Sequence, residues 1–271
     1  MKMMTKIKKI IDFAGILLEN PSLINITLNE NSVLQKKFKQ KYGNFVALPQ
    51  IEIKDLAHND VSSVESFLMD GSSLITDLQL LATLAAREDV NSYFEIGTWR
   101  GESVYNVAKQ IQDCTTMNLS KLEMKEMGWD SRYAEQHGIL STKNSEILHL
   151  EGNTKAFDFA SLNKKYDLIF IDGDHSYDMV LNDTKKVFKH LLHENSIVVW
   201  HDYAYSPQKI RYEVFHAILD GTGKENHQYL YHVKNTLCGV FYRGDIDTTI
   251  FDDMEVPGKI YHNTIISEKF S

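Results

Sequence analysis

From residue 93 onward, short apolar runs alternate with stretches of helical periodicity. Tyr93, Phe94, Glu95 and Ile96 form a short strand ending at Gly97, and Ser103 to Ile111 reads as the next helix. Thr115 to Leu119 and Glu146 to Leu150 read as two further strands. Tyr166 to Ile171 contains the unbroken run Leu-Ile-Phe-Ile, the pattern of a strand buried on both faces in the centre of a parallel sheet. Tyr177 to Leu192 is predicted helical, Ser196 to Trp200 extended, and Arg211 to Leu219 helical again. Gln228 to Val233 and Leu237 to Tyr242 are close enough to pair as an antiparallel hairpin. Repetition of strand, helix and strand predicts an α/β fold: a doubly wound, mostly parallel sheet with helices on both faces, in which ligands bind beyond the carboxyl ends of the strands.

The pattern before residue 93 is weaker. Leu74, Leu78, Leu81, Ala82 and Ala85 recur at helical spacing, with Ser72 or Ser73 as the N-cap. Residues 1–68 read as a helical or irregular extension, lysine-rich around Lys36, Lys37, Lys39 and Lys41, and residues 69–271 as the main domain. Within the extension, Ile7, Ile10, Ile11, Ala14, Leu17 and Leu18 share one helical face beside Lys6, Lys8 and Lys9. Such a face suits packing on its own domain or on a second subunit better than an interfacial membrane helix. Asp12 interrupts the apolar stretch, Glu19 and Asn20 follow it, and no small-x-small cleavage site appears, so an export signal is not expected.

Composition narrows the class. The 271 residues are 43% hydrophobic with only 4 Pro and 14 Gly, which excludes collagen-like and wholly disordered chains. Lys plus Arg total 29 against 37 Asp plus Glu, and the formal charge of −8 argues against a partner held by phosphate neutralisation, so no nucleic acid is expected. Cys114 and Cys238 carry no CxxC spacing and read as buried small hydrophobes in a reducing cytoplasm.

The first polar motif is Glu95-Ile96-Gly97-Thr98-Trp99-Arg100-Gly101-Glu102-Ser103. Trp99 stands where a dinucleotide fingerprint needs its second glycine, so NAD is not expected, and Gly223-Lys224 lacks the earlier glycine of a Walker A loop. The spacing does allow a tight turn at Gly97 and close passage of the chain at Gly101. With the downstream segments Ile-Phe-Ile-Asp-Gly-Asp-His-Ser-Tyr and Val-Val-Trp-His-Asp-Tyr, the chain resembles the class I S-adenosylmethionine-dependent methyltransferases over roughly residues 69–242. In particular it resembles a subfamily of metal-dependent sugar O-methyltransferases, some of whose members are labelled cephalosporin hydroxylases.

The resemblance implies a Rossmann-like sheet of seven strands with a C-terminal antiparallel hairpin. It implies S-adenosylmethionine wrapped by Glu95, Gly97, Thr98, Gly101 and Ser103, with Arg100 near the methionine carboxylate. Asn118 matches the acid that usually meets the ribose, and Asn153 matches an aspartate that meets the adenine. Both substitutions lose a charge-assisted hydrogen bond, so cofactor affinity is expected to be lower than in relatives with aspartate there. Asp172, at the end of the fourth strand, is expected to face both the cofactor and a metal.

Neighbouring parallel strands would bring Asp172 together with His201 and Asp202, a donor set for a divalent cation such as Mg²⁺. His175 matches the catalytic base of the metal-dependent relatives, and His201 stands where they carry a glutamate. Asp183, on the following helix, reads as a solvated helix charge in preference to a support for the cleft. The expected activity is methyl transfer to a hydroxyl of a small polyhydroxylated acceptor, a sugar or glycan precursor, by a cytoplasmic enzyme that forms homo-oligomers. Two alternatives stand beside it. One is a non-haem iron oxygenase using His175, His201 and a carboxylate; the other is a protein that kept cofactor binding and lost the chemistry.

Overall fold

The computed structural model describes residues 2–57 and 63–270. Its strands are β1 Gln50–Ile51, β2 Ser92–Ile96, β3 Asp113–Asn118, β4 Leu148–Glu151, β5 Leu168–Ile171, β6 Ile197–Trp200, β7 Ala204–Ser206, β8 Lys209–Ile210, β9 Leu230–Val233 and β10 Gly239–Phe241. β7 and β8 form a separate small hairpin, and the others form one sheet in the order β1-β9-β10-β6-β5-β2-β3-β4. Every pairing in that sheet is parallel except those of β10, which runs antiparallel to both β6 and β9. The sequence pattern predicts seven strands in this sheet, and eight are present. The additional one, β1, is donated by the N-terminal segment and pairs Gln50 with His232 and Ile51 with Val233.

β5 shows why the Leu-Ile-Phe-Ile run is unbroken. Ile169 and Ile171 enter one apolar cluster with Phe94, Trp200 and Phe241, while Leu168 and Phe170 enter the other with Leu81, Val104 and Val199. Both faces of the strand are covered, so neither can be polar. The helix over residues 74–85 is observed as Ile75–Ala85. Its cap differs from the predicted serines. Leu74 is the N-cap residue, and the Asp77 carboxylate reaches back to accept from the Leu74 amide at 2.9 Å. The Ser72 hydroxyl instead donates to the Glu102 carboxylate at 2.9 Å.

The lysine-rich segment is a helix, Asn31–Tyr42, and its single fully buried side chain, Phe38, anchors it. The Phe38 ring stacks on Phe215 at 4.5 Å and meets Tyr212 at 5.4 Å. Burying one Phe is worth about 1.5–3 kcal/mol. The same helix is fastened through Asp220, whose carboxylate accepts from Lys41 Nζ, from the Tyr42 hydroxyl and from the Tyr177 hydroxyl at 2.6 Å.

Burial opposes ionisation of Asp220, but these donors hold its pKa down at about 2. A carboxyl with a depressed folded pKa contributes stability above its unfolded pKa, and that contribution is lost as pH falls through the folded value. The contribution is on the order of 2 kcal/mol. Asp220→Asn is therefore expected to flatten the acid limb of the stability curve between pH 4 and pH 2, read by urea denaturation across that range. An unchanged acid limb would show that Asp220 carries none of it.

The first helix, Lys2–Glu19, leaves Ile7, Ile10, Ile11 and Leu18 exposed, so its apolar face does not pack on the domain. Among the described residues no helix is long and apolar enough to cross a membrane.

Candidate functional site

The sheet order reverses at β2, with β3 and β4 laid down on one side and β5 and β6 on the other. Carboxyl ends of strands on either side of such a reversal open onto a crevice. Register places the motifs there. Ile96 pairs with Ile171 and Ile171 with Trp200, so Gly97, Asp172 and His201 follow one another across three adjacent strand ends.

The glycine turn is held from beneath by hydroxyls around one buried acid. Glu95 is fully buried and accepts from the Tyr93 hydroxyl at 2.6 Å and from the Thr116 hydroxyl at 2.9 Å, with Ser103 also bonded to it. The Thr98 hydroxyl lies 2.7 Å from that of Thr116, which extends the network into the turn. Burial pushes the Glu95 carboxyl up to about 7 against the pull of these three donors. Glu95 thus braces the turn from inside the core. Gly97 has φ +96°, and a β-carbon there would overlap the Asp172 carbonyl. Gly101 has φ +81°, and a β-carbon there would overlap the Ser141 side chain. Arg100 is buried, donates to Gln136 Oε1 at 3.1 Å and to the Asp70 carbonyl at 3.0 Å, and lies over the Trp99 ring. These bonds fasten the turn to the segments that flank it.

Asn118 and Asn153 lie at the ends of the adjacent strands β3 and β4, where the Gly152 amide donates to the Asn118 carbonyl at 2.8 Å. Asn118 Nδ2 donates to the Leu119 carbonyl at 3.2 Å. Asn153 Oδ1 accepts from the Lys155 amide at 2.9 Å and so serves the local turn.

Beyond β5 and β6 the acids and imidazoles converge. Asp172, His175 and Asp202 can each offer a ligand atom within 4.8 Å of the others. His175 Nδ1 lies 3.0 Å from Asp202 Oδ2, and 43% of its side chain remains exposed. His201 is more deeply set. Its Nδ1 faces Asp172 Oδ1 at 3.1 Å and Asp202 Oδ2 at 3.2 Å, while its Nε2 faces Asp77 Oδ2 at 3.1 Å. Burial alone would lower the His201 pKa, but Asp172, Asp202 and Asp77 override it and hold the imidazolium well above its ordinary value. Burial likewise opposes ionisation of Asp202, and His201, His175 and Arg211 reverse that, leaving the carboxyl below its ordinary range. Asp202 has φ +54°, a left-handed conformation that aspartate tolerates better than most side chains.

Residues 94–203 match a family model described as a methyltransferase domain, and that span runs from β2 through both polar motifs. Over that span the chain is similar to methyltransferase domains. A curated relative, an uncharacterized protein of Acanthamoeba polyphaga mimivirus, is 27% identical over 140 residues, covering 48% of this chain and 61% of that protein. The chain thus spans about three-fifths of the relative's length. Similar solved structures include a putative caffeoyl-CoA O-methyltransferase from Staphylococcus aureus, 19% identical over 83% of this chain and 99% of that one, with a TM-score of 0.44. A putative O-methyltransferase from Klebsiella pneumoniae is 17% identical over 65% and 83%, with a TM-score of 0.47.

The motif pattern misplaces or omits three acids. Asp77 is 0% exposed and accepts from the Leu74 and Leu237 amides as well as facing His201. Its signal was its place beside Leu78 on the apolar face of a helix, where an acid needs partners. Glu102 accepts from the Ser66 hydroxyl and the Phe67 amide, both at 2.7 Å, and so ties residues 66–72 to the glycine turn. Asp183 is not a solvated helix charge as the pattern suggests: it is buried, bonded to Asn182 at 2.8 Å, and its pKa is raised by that burial.

Gly97→Ala is expected to destabilise the protein by more than the ~1–2 kcal/mol that a left-handed conformation costs an ordinary residue, because the Asp172 carbonyl must also move. Thermal denaturation checks this, and an unchanged melting temperature would contradict the close approach.

Proposed function

We propose that the protein transfers the methyl group of S-adenosylmethionine to a hydroxyl of a small polyhydroxylated acceptor of the sugar class, with help from a divalent cation. The observation that carries this reading is the contact between the two motifs. The Gly97 turn leaves no room for a side chain against Asp172, and Asp172 in turn lies among His175, His201 and Asp202. A cofactor seated on the turn would therefore be adjacent to a base and a cation-binding group.

The residues fit both missing groups. Gly97 and Gly101 provide the close backbone approach that a cofactor-wrapping loop requires. Two carboxylates with one imidazole in mutual reach suit a hard or borderline divalent cation such as Mg²⁺ or Mn²⁺. His201 Nδ1 reaches the same two carboxylates, so what favours a methyl donor over an iron oxygenase is the glycine turn beside them.

The two imidazoles divide the work through their hydrogen bonds. Asp77 favours the His201 tautomer that donates from Nε2, which turns the Nδ1 lone pair toward Asp172 and Asp202. His201, Asp172 and Asp202 together would then hold the cation in place of the Nδ1 proton. Asp202 also accepts from His175 Nδ1, which leaves His175 Nε2 as the nitrogen able to take a proton. When bound, the cation would ease loss of the acceptor's hydroxyl proton, and S-adenosylmethionine would supply the methyl carbon that the hydroxyl oxygen attacks in line with the departing sulfur. His175 Nε2 would take the proton, and the carbon–sulfur bonding pair would leave with sulfur.

Calorimetric titration with S-adenosylmethionine, with and without Mg²⁺, tests the reading. Binding of the cofactor and turnover on hydroxylated acceptors that a chelator abolishes are expected. No heat of binding at millimolar cofactor would sink it, and turnover unaffected by a chelator would remove the cation from the mechanism.

A further inference from the structure

The side chain of Arg211 is half-buried beside the proposed reaction centre, and its Nε has no hydrogen-bond partner. Its backbone is fixed, since the Arg211 amide donates to the Tyr203 carbonyl at 2.8 Å just before the helix Tyr212–Thr222. Only 19% of the side chain is exposed, and Nε is buried with no hydrogen-bond partner. The nearest carboxylate oxygen, Asp202 Oδ1, is 3.7 Å from one terminal nitrogen. At that separation the two charges attract but do not form a hydrogen bond. A buried donor left unpaired is costly, because it has given up its hydrogen bond to water without replacement.

Three features indicate what would satisfy it. First, Arg211 faces Asp202, whereas the glycine turn abuts Asp172, so a cofactor seated on the turn would leave the Asp202 and Arg211 end of the cluster for the acceptor. Second, Asp202 already serves His175 and His201, and a cation bound there would take up the charge that now faces Arg211. Asp174 is the other acid whose charge reaches Arg211, and its Oδ1 is taken by the Ser176 amide at 2.7 Å. Third, the positive charge is not isolated. The Tyr205 ring has the Arg211 guanidinium at 5.1 Å and Lys209 Nζ at 5.4 Å.

A guanidinium binds best where two N–H groups meet two oxygens in one plane, a geometry that carboxylates and phosphates offer and a lone sugar hydroxyl does not. We infer that the acceptor carries an anionic oxygen group, a carboxylate or a phosphate, which Arg211 holds next to the hydroxyl to be methylated. This assignment rests on the proposed methyl transfer for the meaning of the site, and on Arg211 itself for the charge preference.

Three probes of one ring type test it: glucose, glucuronate and glucose 1-phosphate, titrated calorimetrically into the full chain with Mg²⁺ and S-adenosylhomocysteine present. One charged probe is expected to bind about tenfold or more tightly than glucose, in line with a charge-assisted bond, and which one does so separates carboxylate from phosphate. Arg211→Gln is expected to erase that ratio and Arg211→Lys to restore part of it, since lysine keeps the charge without the fork. A ratio near unity in the unaltered protein, including binding of none of the probes, overturns the inference. So does a ratio that survives Arg211→Gln, which would assign the preference to the cation alone. Binding of S-adenosylhomocysteine is read in a separate titration. Its failure would count against methyl transfer, whereas its success with indifferent probes would count against Arg211 only.

Discussion

His175→Ala is expected to lower kcat by about 10²–10⁴-fold, the range over which a positioned general base accelerates proton transfer. Cofactor affinity should be nearly unchanged, because the side chain is 43% exposed and its ion-pair partner is Asp202, beyond the glycine turn. Single-turnover kinetics with saturating cofactor, paired with calorimetry, separates the two quantities. Loss of cofactor binding together with activity would show that His175 shapes the site and does not act as its base. His175→Gln provides a second comparison, since an amide can accept from the acceptor hydroxyl without taking its proton.

Asp77→Ala is expected to cost about 3–5 kcal/mol of stability, the usual result of removing one partner from a buried ionic group. For a chain of this size that corresponds to a melting temperature lower by roughly 10 °C. The carboxylate is wholly buried, and its removal strips partners from the Leu74 amide, the Leu237 amide and His201 Nε2 together. Asp77→Asn keeps an oxygen for one of those amides and removes the charge, so its effect should fall less on the fold and more on cation binding. Thermal denaturation and Mg²⁺ titration of both variants check this. A loss of less than about 1 kcal/mol in the alanine variant would mean that His201 is not held by Asp77.

What could be read from the chain follows from the range of the interactions involved. Strands β2, β5 and β6 announce themselves because apolar runs buried on both faces have few alternatives. β1 does not, because Gln50–Ile51 is two residues long and extended only by its pairing with β9. Phe38 sits among lysines, and nothing local distinguishes it from a surface aromatic until Phe215 and Tyr212 close over it. The acidic strand ends are legible for the same reason as the strands: parallel register brings Asp172 and His201 side by side. The His201 contact with Asp77 spans 124 positions and joins a helix start to a strand end, which no spacing rule reports. Asp183 is buried against the pattern's expectation because helical periodicity marks a face without showing whether another segment covers it.

The pairing of Gln50 with His232 also sets an order of events during synthesis. The segment carrying β1 leaves the ribosome 182 residues before its partner strand exists, as the difference of those two positions shows. At about 5–20 residues per second it waits on the order of ten to forty seconds. Phe38 waits nearly as long for Phe215. Throughout that interval Phe38 and the backbone groups of β1 lack the partners they meet in the folded protein. Its lysines, Lys36, Lys37, Lys39 and Lys41, then have a use before the fold exists. Four like charges there would oppose self-association of the segment while the later strands are still being made.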